Sequence, residues 1–159
     1  MDKPGKFLIR VYGIVVNSNH ETLISDEYEL NMKMTKFPGG GLEFGEGLIE
    51  GLKREIREEC NGQELDNIRH FYTTDFFQKA LFFENTQLIS VYYLASLKNP
   101  LQFTISRKPF DFKIGGEQTQ SFRWEKINTL KEDDFTFPID KFVVRKLKQT
   151  FDVKKHADH

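Results

Sequence analysis

The chain has 159 residues, 38% of them hydrophobic and 30% charged, with sixteen phenylalanines and a formal net charge of -1. That is enough apolar material for one globular domain with its own core, so disorder is excluded; a basic excess able to neutralise nucleic-acid phosphates is absent. The single cysteine, Cys60, excludes an internal disulfide or thiolate zinc site, and no apolar run approaches the roughly 20 residues of a membrane span.

In chain order, Phe7 to Val16 is rich in Val and Ile and reads as a buried strand. Its one interruption, Arg10, argues against a signal peptide, so a cytoplasmic location is expected. Asn17-Ser18-Asn19 is a turn, Glu21 to Glu29 a second strand, and Met32 to Phe37 an extended lead into Pro38 and a glycine turn. Gly47 to Cys60 is a helix whose core stripe is Ile49, Leu52, Ile56 and Cys60. Glu64 to Phe77 and the strongly apolar Thr86 to Leu97 are strands, followed by a short one at Gln102 to Ile105. Gly115-Gly116-Glu117 is a loop, and Thr119 to Lys126 the last strand, carrying Trp124. Ile139 to Phe151 is a terminal helix with Phe142, Val143 and Leu147 on its apolar face, and Pro138 suits its first position. Residues 1–151 are expected to form one domain, with a polar tail over Asp152 to His159 that frays. No repeat or linker divides the chain.

The stretch from Gly40 to Gly62, GGLEFGEGLIEGLKREIREECNG, carries the chemistry. Glu55, Glu58 and Glu59 fall within an arc of roughly 100° on one helix face. The like-charged pair Glu55 and Glu59, four apart, costs a few tenths of a kcal/mol. All three lie near the helix C-terminus, where the macrodipole favours cations. Arg54 and Arg57 offset part of this charge, and a hard divalent cation with oxygen ligands is the natural further partner.

The spacing Gly40, five residues, Glu46, seven residues, then Arg54-Glu55-Ile56-Arg57-Glu58-Glu59 resembles the Nudix box, G-x5-E-x7-R-E-U-x-E-E-x-G-U with U aliphatic. Phe122-Arg123-Trp124 ahead of Leu130 is similar to a Trp-plus-Leu segment found before the family's last helix. One position departs: the last glycine of the pattern is Asn61, with Gly62 in the next slot. Asn tolerates the left-handed conformation of a helix C-terminus second best after Gly, so the chemistry is expected to stand. The resemblance implies an α/β fold with a mixed β-sheet sandwiched between α-helices. It also implies Mg²⁺-dependent cleavage of a phosphoanhydride, with Mn²⁺ as a substitute, in a nucleoside diphosphate linked to another moiety. Such cleavage is largely positioning and charge neutralisation.

On this reading Glu58 and Glu59 are the metal ligands, and Glu55 is either a third ligand or the base that takes the water proton. Arg54 orients the carboxylates through charge-assisted hydrogen bonds. Glu46 is either a further ligand through water or a partner for Arg54. The glycines allow close approach of the backbone; Gly40 opens the motif and Gly39 offers a carbonyl to the metal. Family members also place a carboxylate on a loop before the Trp-bearing strand, which makes Glu117 a late ligand or base. Phe37 is a candidate to stack on a nucleobase. Arg10 either meets substrate phosphate or lies on the polar side of the sheet. Cys60 completes an apolar stripe and reads as core.

Substrate subfamily marks downstream of the box are absent: there is no proline near Gln78 of the ADP-ribose type, and no tyrosine there of the dinucleoside-polyphosphate type. The NADH-type and coenzyme-A-type signatures are missing too. Nucleoside triphosphates and nucleotide sugars stay open, as does a homodimer. The competing reading, a regulatory module that senses a nucleotide without turnover, usually goes with a decayed acidic cluster, whereas this one is intact.

Overall fold

A computed structural model describes residues 3–157, with side chains to residue 152. Its elements in chain order are β1 (Lys6–Val15), β2 (Glu21–Glu29), β3 (Met32–Lys36), β4 (Gly39–Gly41), α1 (Leu48–Glu59), β5 (Leu65–Thr73), β6 (Thr86–Leu97), β7 (Gln120–Lys126) and α2 (Pro138–Ala157), with single 3-10 turns at Ile127–Thr129 and Glu132–Asp134. The α/β class is the expected one. The strands divide into a four-stranded sheet of order β4-β1-β6-β5 and a three-stranded sheet of order β3-β2-β7. Each sheet belongs to one of two compact units: Met1–Ile14 with Pro38–Gln102, and Val15–Phe37 with Phe103–His159.

In the first unit the apolar centre of β1 (Val11, Ile14) and β6 (Val91, Tyr92) is buried, and α1 contributes Leu52 and Ile56. The glycines expected to form a turn instead form β4, antiparallel to β1 with Arg10 opposite Gly41, Val11 opposite Gly40 and Tyr12 opposite Gly39. The reason is close approach. A Cβ on Gly39, whose φ is +146°, would lie 2.1 Å from the Val11 carbonyl oxygen, so only glycine lets the backbones meet there. β5 stops at Thr73, short of the expected Phe77, because the chain curls back: the Tyr72 hydroxyl donates to Asp75 Oδ1 (2.7 Å) and accepts from the Asp75 N–H (3.3 Å).

Helix α1 runs as expected from Gly47 as N-cap to Cys60 as C-cap. Its stripe differs at one place. Ile49 is 41% exposed, and the buried residue in that turn is Gly51, where a Cβ would crowd Leu42 Cδ1 at 2.8 Å and Glu46 Oε1 at 3.0 Å. At the other end Asn61 takes φ 52° and Gly62 φ 84°. The Gly62 N–H donates to the Arg57 carbonyl (2.8 Å), the six-to-one bond of a Schellman termination. Asn61 Nδ2 also donates to the Gln102 carbonyl (2.9 Å), a tether a glycine would lack.

In the second unit, β2 pairs antiparallel with both β3 and β7. Gln102 to Ile105 forms no strand. The Gln102 N–H is taken by the Gln63 side chain, and in that neighbourhood only Ser106 bridges to Arg123. Helix α2 begins at Pro138 and runs through Ala157, past the expected end at Phe151. The segment from Asp152 to Ala157 contains no Gly or Pro to stop it; the final two residues of the expected tail lie outside the described residues. The α2 stripe is Asp140, Val143, Val144 and Leu147, with Phe142 only half-buried beside it. None of the described helices is long and apolar enough to cross a membrane.

Candidate active site

Arg54, on α1, is the centre of the site in the first unit. Its Nε donates to Glu46 Oε2 (2.9 Å) and its Nη2 to Glu46 Oε1 (2.6 Å), a two-pronged contact. Nη2 also donates to the Gly41 carbonyl (2.9 Å), tying α1 to β4. Nη1 donates to Glu55 Oε1 (3.1 Å) and Glu58 Oε2 (3.2 Å) and lies 3.6 Å from Glu43 Oε1. The planar guanidinium, with five donors in a fixed fork, suits this arrangement in a way an ammonium does not.

The spacing in the sequence builds this geometry. Arg54 and Glu58 are one turn apart on α1, so they share a face. Glu46 sits before the helix and accepts the Glu43 N–H (2.8 Å) through Oε1, and Gly51 leaves it room. Glu55 is pressed on Gly40: a Cβ there would fall 2.6 Å from its carboxyl carbon. Hydrogen bonding from Arg54, then from the Glu43 N–H, holds the Glu46 carboxyl down at about 2. The bond with Glu46, against the opposing effect of burial, raises the Arg54 guanidinium in turn.

Glu58 is exposed and Glu59 half-buried. Burial foremost, with the Glu59 charge beside it, pushes the Cys60 thiol far up; Cys60 is fully buried core, unsuited to attack. Arg10, half-buried on β1 opposite Gly41, donates through Nε to the Tyr12 hydroxyl (2.6 Å) and lies over the Tyr12 ring. Gly39 faces Tyr12 in the ladder.

Two expected site residues lie in the second unit. Glu117 is exposed on the loop before β7. Phe37 is wholly buried and stacks on Phe135 with ring centroids 4.8 Å apart, so the expectation that it stacks on a base is withdrawn. Its burial against the Phe135 ring makes it core.

Sequence reasoning passed over Glu43, Gly51 and the bond from Arg54 to the Gly41 carbonyl, whose only signal is proximity to the motif. It also passed over a buried polar network in the second unit. There Asp26, fully buried, accepts Arg123 Nε (2.7 Å) and Nη2 (3.3 Å) and the Thr35 hydroxyl (2.9 Å). Arg123 also pairs with Glu125, and Lys36 with Glu27. Burial opposes the Arg123 charge, but the hydrogen bonds and charge of Asp26 outweigh it and raise the guanidinium. Every atom of the Asp26 carboxylate is matched, which marks a structural pair.

The donor set at Arg54 is all hard oxygen, the kind Mg²⁺ takes. The carboxylates of Glu55 and Glu58 already converge on one cationic atom, Nη1. Among the described residues, however, no three His, Cys, Asp or Glu side chains are gathered as a ready metal cage. The residues fit a divalent ion in kind, and the carboxylates are held by Arg54.

A NUDIX domain family model matches residues 6–145. The chain therefore belongs to the NUDIX family. The fold is similar to that of MutT studied from Aliivibrio salmonicida and Vibrio cholerae, at 22% identity over 91% of this chain and 99% of that one, with a TM-score of 0.64. A NUDIX hydrolase from Nitrosomonas europaea aligns over 98% of this chain and 75% of its own, at 17% identity and a TM-score of 0.66. A MutT NUDIX hydrolase from Burkholderia pseudomallei aligns over 88% and 97%, at 13% identity and 0.63. A sequence search of curated proteins finds no match.

Proposed function

We propose that the chain hydrolyses a phosphoanhydride bond in a nucleoside triphosphate or nucleotide sugar and depends on Mg²⁺, with Mn²⁺ as substitute. One observation carries the reading. Glu43, Glu46, Glu55 and Glu58 all contact a single guanidinium, which leaves the cluster strongly negative and attractive to a divalent cation. Glu55, Glu58 and Glu59 would hold the ion, with the Gly39 carbonyl as a further donor. The ion would supply charge neutralisation on the diphosphate oxygens and a more acidic bound water. Glu55 is the alternative base. Arg54, fixed by Glu46 and the Gly41 carbonyl, orients Glu55 and Glu58 as positioning residue. Gly40 gives Glu55 its room, and Arg10 on the neighbouring strand is the candidate for a substrate phosphate.

The family match draws on both compact units, which fits one functional domain over residues 1–151. A small nucleotide, rather than a nucleic acid or membrane, is the expected partner, together with a second copy of the chain. A buried lone cysteine fits a cytoplasmic setting. The test is phosphate and pyrophosphate release from a panel of nucleoside triphosphates and nucleotide sugars, with Mg²⁺ and with chelator. Metal-dependent turnover of one class is expected. Tight nucleotide binding with no release from any member would favour the sensing module instead.

A further inference from the structure

Helix α1 ends where the box departs from its pattern. The last aliphatic position of that pattern holds Gly62, which has no side chain to bury. The buried side chain comes one residue later, at Gln63, 1% exposed. A buried amide costs free energy unless its polar atoms are matched. Here Nε2 donates to the Glu64 carbonyl (2.9 Å) and the Lys98 carbonyl (2.7 Å), and Oε1 accepts the Gln102 N–H (2.8 Å). The backbone adds to this: the Gln63 N–H donates to the Cys60 carbonyl (3.1 Å) and the Lys98 N–H to the Glu64 carbonyl (3.0 Å). Asn61 Nδ2 reaches the Gln102 carbonyl (2.9 Å). Arg57 ties Glu64 back to the helix, its Nε and Nη2 donating to the two carboxylate oxygens (2.6 and 3.2 Å). The end of α1 is thus fastened to the segment that follows β6.

We propose that Gln63 is a positioning residue for the end of α1 that carries Glu58 and Glu59. The inference rests on the reading that these two carboxylates hold the ion. Both stand in the last turn of a twelve-residue helix, and helix ends fray unless their terminal groups are tied. Groups that bind an ion have to be held to within about 0.5 Å. Arg54 meets that need for Glu55 and Glu58. Glu59 adjoins the C-cap, Cys60, whose carbonyl takes the Gln63 N–H, so its place follows the backbone that Gln63 fixes. The Arg57–Glu64 pair is exposed, and a surface pair of this kind contributes little. Gln63 is under cover, and its loss would strand the Gln102 N–H and the Lys98 carbonyl together. One amide therefore decides where the last turn stands.

The test is Mn²⁺ binding to the full chain, read as free Mn²⁺ by electron paramagnetic resonance, with a thermal melt of each variant. Gln63→Met keeps the reach of the side chain and removes its hydrogen bonds. It should weaken Mn²⁺ binding by about tenfold, the usual cost of losing a group that orients metal ligands. Leu147→Ala truncates the core of the second unit. It should lower the melting temperature at least as far, yet leave Mn²⁺ affinity within about twofold of native, as expected of distant sites. Gln63→Asn, a methylene too short to reach both Lys98 and Gln102, serves if the first variant fails to fold. Native affinity in a folded Gln63 variant overturns the inference. So does an equal loss in Leu147→Ala, which would make the effect one of general stability. A native chain that binds no Mn²⁺, or binds it as tightly after Glu58→Gln with Glu59→Gln, overturns the ligand reading and this inference with it. Binding that is lost in that pair and unchanged in Gln63→Met strikes the inference alone.

Discussion

Two adjacent glycines give the sharpest test of the site, because the structure treats them in opposite ways. Gly40 has ordinary negative-φ backbone, so alanine strains nothing there. Its Cβ, however, would stand 2.6 to 2.7 Å from all three atoms of the Glu55 carboxyl group. Carbon contacts are comfortable at about 3.5 Å, so the carboxylate must retreat by nearly 1 Å. Glu55 is flexible enough to do so, giving up its 3.1 Å bond to Arg54 Nη1, a partly exposed contact worth about 1 kcal/mol or less. The fold should hold, with the melting temperature down by no more than about 4 °C. Catalysis should not hold, since a displacement near 1 Å costs on the order of 10²-fold, about 2.7 kcal/mol of barrier. At Gly41 a Cβ meets nothing within 4 Å, and the carbonyl that anchors Arg54 survives substitution. The assay is kcat at saturating substrate and Mg²⁺, with a thermal melt of each variant. Gly40→Ala should lose about a hundredfold and Gly41→Ala less than about threefold. Equal losses, or full activity in Gly40→Ala, would refute the role given to the Glu55 position.

Mg²⁺ or Mn²⁺ should raise the melting temperature, because binding to the native state alone adds RT ln(1 + [L]/Kd). The increment should shrink in the Glu55→Gln/Glu58→Gln/Glu59→Gln variant, and an undiminished one would place the ion elsewhere. The Glu46 carboxyl is lowered from 4.5 to about 2 in the folded state, so its stabilising effect is present above pH 4.5 and is lost as pH falls from there through 2. Melting temperatures measured across that window should fall less steeply in Glu46→Gln than in the native chain; parallel curves would contradict the Arg54–Glu46 bond. Asn61→Val should lose roughly 1 kcal/mol or more, because a β-branched residue is poorly suited to the φ of 52° found there. Asn61→Gly should be near neutral, with backbone relief offsetting the lost tether to Gln102; denaturant melts of the pair decide.

Strands with an unbroken apolar run or a clear turn signal, such as β2 and β6, were legible to the residue. So was the α1 terminus, because Asn61-Gly62 is a local signal read by local geometry. What escaped was set by partners distant in sequence. β4 exists because β1 lies against it at van der Waals limit, and a glycine triplet says nothing about that. Ile49 followed the helical period yet is exposed, while Gly51 took the buried place because Leu42 and Glu46 needed the space. Phe37 looked available beside the glycines, and only the Phe135 ring, about a hundred residues on, shows that it is covered. The carboxylates of the site were legible as a repelling cluster. That Arg54 serves four of them at once depends on β4 and the loop before α1 folding back against the helix.

That arrangement leads to the last prediction, Arg54→Lys, which keeps the charge and removes the fork. If the site needed only a positive charge among its carboxylates, lysine would serve nearly as well, since a point charge loses little in a cluster of this size. The contacts argue otherwise. Nε and Nη2 grip both oxygens of Glu46, Nη2 also reaches the Gly41 carbonyl, and Nη1 is left to hold Glu55 and Glu58. An ammonium offers three donors from one atom and cannot span partners on both sides. Lysine should therefore release either Glu46 or the Glu55–Glu58 pair. The expected outcome is at least a tenfold fall in kcat, together with a flatter acid limb of the melting curve as Glu46 loses its strongest bond. Full activity with the native acid limb would show that charge alone organises the site. A lost kcat with the native limb would mean that lysine keeps Glu46 and abandons Glu55 and Glu58.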